Sequence, residues 1–103
     1  MRDSIIFICY DLPMEEDSAH KEYYKYSKYL KKNGYIHIQK SVVIKYIKNC
    51  EAFEGEVTRI KHNSPKSGKI YIWQMSYEKY ASGISLVDGI FPTEELREEI
   101  IEF

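Results

Sequence analysis

The chain has 103 residues, enough for one small domain whose fold buries only about 60–65% of the surface its unfolded chain exposes. Hydrophobic residues at 44% and charged residues at 30% fit a globular protein and exclude a disordered tail. The longest apolar run, Ile5 to Tyr10, falls far short of the ~20 residues of a membrane span.

Further classes drop out on motifs. Met1 to Ser4 carry Arg2 and Asp3 with no apolar stretch of signal-peptide type behind them, so a cytoplasmic protein is expected. Cys9 and Cys50 have neither metal-binding nor redox spacing, and reduced thiols are expected, Cys9 within a strand core. No GxGxxG, Walker loop, HExxH or CxxC occurs. The net charge of −1 conceals a partition: residues 18–48 hold eight lysines against Glu22, while both ends of the chain are acidic.

In chain order, Ser4 to Tyr10 is β-branched and aromatic and ends at Asp11-Leu12-Pro13, which predicts a central strand buried on both faces. Asp17 or Ser18 can cap a helix running to about Asn33, with Gly34 beyond its end. Ala19, Tyr23, Tyr26 and Leu30 form its buried face. Lys21, Lys25, Lys28 and Lys32 repeat that spacing about 200° around the axis, an outward stripe of positive charge.

Residues 35–39 and 42–48 read as two strands broken at Lys40-Ser41 by a tight turn or bulge. Asn49 caps a helix over about 50–62 with Phe53, Val57 and Ile60 inward. Residues 64–68 are a loop, and Lys69 to Met75 a fourth strand. The fold class is therefore α+β, a ferredoxin-like β-α-β-β-α-β arrangement over residues 1–82. Residues 83–103 form an arm: a helical turn over Ser76 to Ser82 leads into a short fifth strand, Ile84 to Asp88, and an acidic helix, Thr93 to Glu102. Such arms pair with a partner's sheet edge.

Few residues invite chemistry. Asp11 stands where the central strand ends, and a carboxylate there either accepts hydrogen bonds from turn amides or ligates Mg²⁺, which takes one or two carboxylates and fills its shell with water and phosphate oxygens. One aspartate cannot run a nuclease alone; two across a dimer axis can. His37 alternates with Ile36 and Ile38 and reads as a surface or interface residue, and His20 as exposed. Ser41 at the strand break is explained by a backbone hydrogen bond.

These pieces resemble a known family. The strand ending Tyr10-Asp11-Leu12-Pro13, the basic helix ending Asn33-Gly34, and Ile38-Gln39-Lys40-Ser41-Val42-Val43 are similar to the Cas-two family, small subunits of the CRISPR spacer-acquisition complex. The resemblance covers roughly residues 4–82, and the longer tail looks like members accompanying type II systems. It implies a homodimer that binds the integrase (the Cas-one protein) and holds double-stranded DNA. Some members are similar to endonucleases acting on single-stranded RNA or double-stranded DNA, in which the position matching Asp11 binds Mg²⁺ or Mn²⁺, one from each protomer. Where the family often has arginines early in the first helix, this chain has Lys21 and Lys25, which neutralise phosphate without bidentate geometry.

The expected function is thus a scaffold of CRISPR adaptation. Lys21, Lys25, Lys28, Lys32 and Lys40 meet phosphates, and Leu96, Ile100 and Ile101 present an apolar edge to a protein partner. The alternatives are a free-standing metal-dependent endoribonuclease of toxin type and a regulatory module binding a small molecule.

Overall fold

The computed structural model describes residues 3–13, 17–48, 52–87 and 89, with the backbone alone for 17–19. Its centre is β1 (Ser4–Asp11), where five of the seven residues from Ser4 to Tyr10 are buried because alternate side chains enter two different cores. β1 pairs antiparallel with β3 (Val42–Ile47) on one side and β4 (Lys69–Ser76) on the other. β2 (Ile36–Gln39) lies outside β3, giving the order β2-β3-β1-β4. With α1 (Asp17–Lys32) and α2 (Ala52–His62) between the strands, this is the ferredoxin-like β-α-β-β-α-β arrangement.

One face of the sheet carries the helices. Ile6, Ile8 and Tyr10 of β1 and Val43 and Ile47 of β3 pack with Tyr23, Tyr26 and Leu30 of α1 and Ile60 of α2. The lysine stripe of α1 is exposed throughout. On the opposite face Ile5, Ile44 and Tyr46 pack against Tyr80 of α3 (Tyr77–Ala81). Ser76 caps α3 by accepting a hydrogen bond from the Lys79 amide at 3.1 Å.

Glycine ends α1 as its conformation demands. The Tyr35 amide reaches back to the Leu30 carbonyl (3.0 Å) and the Gly34 amide to Lys31 (3.2 Å), a paired termination that needs a positive φ, here +90° at Gly34. Tyr35 therefore precedes β2 instead of opening it. The break between β2 and β3 contains both devices expected there, a turn at Lys40-Ser41 and a register shift between His37 and Gln39.

Ile84 to Val87 pair with no strand among the described residues of this chain, and Ile84, Leu86 and Val87 are 78%, 90% and 77% exposed. One expectation needs correction. Ser41 makes a side-chain contact, given below, that a backbone hydrogen bond does not explain. Asn49, Cys50, Asp88, the helix over 93–102 and Leu96, Ile100 and Ile101 lie outside the described residues. Among the described residues no helix is long and apolar enough to cross a membrane.

Gly68 sets the packing at the end of β1. Its φ is +113°, and a Cβ there would lie 2.6 Å from Leu12 Cδ2 and 2.9 Å from the Asp11 carbonyl oxygen. Gly68→Ala meets both a strained backbone and a backbone clash, so it should lower stability by about 1–3 kcal/mol, read as a fall in the urea midpoint at unchanged slope.

Candidate nucleic-acid interface

The end of β1 brings Asp11 near His37, Lys40 and Ser41. Antiparallel pairing brings Asp11 opposite Lys69, the first residue of β4. The Tyr10 amide donates to the Ser41 carbonyl at 3.0 Å, which holds the β2–β3 turn beside Asp11. Asp11 is exposed, and among the described residues its carboxylate takes no hydrogen bond and no ion pair, so the described turn amides do not account for it. Nor, among the described residues, do any three of His, Cys, Asp and Glu come together as metal ligands.

Two tyrosines fasten the turn to α1. The Tyr23 hydroxyl donates to the Lys40 carbonyl at 2.9 Å and, its proton thus used, accepts from Ser41 Oγ at 2.9 Å. The Tyr10 hydroxyl lies 2.8 Å from Ser27 Oγ, 3.0 Å from His37 Nε2 and 3.3 Å from the same Lys40 carbonyl. Burial pushes the Tyr10 phenol up to about 12, so it stays protonated at any physiological pH. Burial and the neighbouring Lys31 charge hold His37 below the usual histidine range, so it serves Tyr10 as a neutral ring.

Positive charge is exposed both on α1 and on the β2–β3 turn. Lys40 Nζ lies 5.7 Å above the Tyr23 ring, which sets the fifth lysine against α1. Lys21, Lys25, Lys28 and Lys32 are exposed on the same helix, and none has an ion-pair partner among the described residues. His20 is exposed, as expected.

Residues 4–82 match the family described as CRISPR associated protein Cas2. The chain belongs to the Cas2 family. It is 31% identical over 81 residues to the CRISPR-associated endoribonuclease Cas2 of Streptococcus mutans serotype c (strain NN2025), covering 79% of this chain and 76% of that one. It is similar also to the proteins of that name from Treponema denticola, 30% identical over 91 residues (88% and 89% covered), and from Ligilactobacillus salivarius, 32% identical over 75 residues (73% and 74% covered). The Cas2 match spans β1 through α3, so Asp11, the α1 lysines and Lys40 fall inside it.

One charged residue of this Cas2 fold escapes sequence reasoning. Glu56 of α2 is buried, yet it accepts hydrogen bonds from the Tyr35 hydroxyl (2.8 Å), Lys45 Nζ (3.0 Å) and Arg59 Nη1 (3.2 Å). Its only signal is position: an acid between Phe53 and Ile60 on the apolar side of the helix. Burial by itself pushes the carboxyl up, but the bonds from Lys45 and Tyr35 and the charges of Lys45 and Arg59 outweigh it, and the net shift is downward.

A depressed carboxyl stabilises the fold above its unfolded value and loses that effect as pH falls through the folded value. The urea midpoint should therefore drop as pH is lowered below about 4.5, the ordinary value, and Glu56→Gln should flatten that slope. Glu56→Ala should cost about 3 kcal/mol at pH 7, the lower end for removing one partner of a buried pair because Lys45 and Arg59 retain access to water. A flat profile in the wild type would contradict this assignment.

Proposed function

We propose that this Cas2-family chain serves CRISPR adaptation as a homodimeric scaffold that holds double-stranded DNA and binds the integrase subunit during spacer acquisition. The observation that carries the reading is the α1 surface: Lys21, Lys25, Lys28 and Lys32 stand exposed on one helix, Lys40 is exposed on the turn that Tyr23 holds, and no described carboxylate neutralises any of them. Such a surface meets phosphates without reading bases, which suits DNA of arbitrary sequence. A second copy is supported by the sheet face away from the helices, where Tyr71 and Trp73 are 53% and 49% exposed, and by the exposed apolar side chains of Ile84, Leu86 and Val87. Leu96, Ile100 and Ile101 are proposed as the integrase contact, on the chemistry of an apolar edge in an acidic segment that DNA repels.

A second activity, metal-dependent cleavage of single-stranded RNA, is favoured by the name endoribonuclease carried by the relatives and by the unpartnered Asp11 carboxylate. One carboxylate from each protomer fits the donor set of Mg²⁺ or Mn²⁺, the remaining positions going to water and phosphate oxygens. Bound there, the ion supplies an activated water and charge neutralisation at phosphorus. Asp11 of each protomer would hold it, at the exposed end of β1.

Two measurements test these readings. For a blunt duplex, log K should fall against log salt with a slope of about −4.5 for each protomer whose five lysines meet phosphates, and Lys21→Ala with Lys25→Ala should make the slope shallower by about 2 per protomer. An unchanged slope would remove the lysine face as the DNA surface. Asp11→Ala, compared with wild type on labelled single-stranded RNA and duplex DNA with Mg²⁺ or chelator, should abolish metal-dependent cleavage and leave the stability from urea unfolding within ~0.5 kcal/mol of wild type. Equal cleavage by both proteins would rule out Asp11 as the ligand.

A further inference from the structure

A groove of about 880 Å³ runs between α1 and the edge strand β2, lined by Tyr24, Ser27, Lys28, Lys31, Ile36 and His37 among others. That volume lies within the roughly 300–1,000 Å³ typical of sites for small organic molecules. Tyr24, Lys28 and Lys31 follow one another at +4 and +3, so they share one side of the helix. Tyr24 is 61% exposed, a large aromatic ring that no core contact requires, and its one ring contact is perpendicular, with Tyr23 at 5.6 Å. Lys28 and Lys31 have no ion-pair partner among the described residues, and none of the groove's lining residues is acidic.

We infer that this groove binds an unpaired nucleotide of a nucleic-acid strand, its base stacked on Tyr24 and its phosphate neutralised by Lys28 and Lys31. The inference rests on the nucleic-acid reading above and adds a substrate feature to it. An anion is dictated by the two cations. A planar apolar group is dictated by an exposed tyrosine beside Ile36, and a base inside a duplex has both faces already stacked. Away from a duplex end, an unpaired nucleotide is the component of a nucleic acid that offers an open π-face and a phosphate together. His37 adds polarity without charge: its Nε2 is engaged by the Tyr10 hydroxyl, and its Nδ1 has no partner among the described residues. Base stacking is indifferent to sequence, which accords with a lysine surface that reads none.

The test measures binding of three fluorescent probes, a single-stranded DNA, a single-stranded RNA and a blunt duplex, by anisotropy at one salt concentration. Tyr24→Ala should weaken both single strands about 5- to 100-fold, the loss of one stacked base, with the duplex within about twofold. Tyr24→Phe keeps the ring and should bind like wild type. Lys31→Ala should weaken the single strands also. A loss confined to RNA or to DNA would assign the sugar as part of the recognition and still support the groove. Wild-type binding of single strands that Tyr24→Ala leaves unchanged overturns the inference alone, as does binding of the duplex with none of single strands. A wild type that binds none of the three overturns the nucleic-acid reading with it. Because Tyr24 is exposed, its variants should fold, which a wild-type urea midpoint confirms.

Discussion

The carbonyl of Lys40 is the acceptor on which the functional end of the molecule hangs. Two phenols approach it, Tyr23 from α1 at 2.9 Å and Tyr10 from β1 at 3.3 Å, and between them they join the helix, the central strand and the β2–β3 turn. Each such bond adds only about 1 kcal/mol net, so their importance is positional more than energetic. They decide where Lys40 points and how the turn sits beside Asp11. A local turn thereby takes its geometry from residues 17 and 30 positions away in sequence. Tyrosine suits the task because its ring fills the core while its hydroxyl reaches a polar group at the core's margin.

The opposite end of the helix layer is held by charge. Glu56 ties α2 to β3 through Lys45 and to the start of β2 through Tyr35, whose ring also lies 5.4 Å beneath Lys45 Nζ. A domain this small cannot bury enough apolar surface to orient every element by packing alone. A saturated polar knot supplies direction where greasy contacts do not, since each of its bonds has a required angle. The two ends differ in chemistry: the Tyr10 phenol keeps its proton across the physiological range, whereas the Glu56 carboxylate is lost as pH falls through its lowered value.

Periodicity made the layers legible. β1 announces itself as a dense β-branched run closed by proline, and α1 as two interleaved stripes, tyrosine and lysine, that solvent and core then separate. The strand order follows from the connectivity of the ferredoxin-like arrangement. What stayed hidden depends on distance. Ser41 meets Tyr23 across 18 residues, and Glu56 meets Tyr35 across 21, contacts for which no local pattern exists. The Ile84 to Val87 stretch has the composition of a strand, yet composition describes a willingness to pair and cannot provide the second strand. Asp11 was visible as a strand-end carboxylate, whereas its freedom from described partners could come only from coordinates.

The chain has a single tryptophan, and it sits on the sheet face away from the helices. Trp73 packs edge-on against Phe7 at 5.7 Å and leans toward Tyr71 at 6.2 Å, half open to solvent. The lysine surface and the groove beside α1 contain no tryptophan at all. The molecule is therefore built with its own optical label on one side only. Emission from this indole reports what covers that face, and nucleic acid arriving at the other would pass without quenching it by contact, so the two halves of the protein's social life can be watched separately in one cuvette.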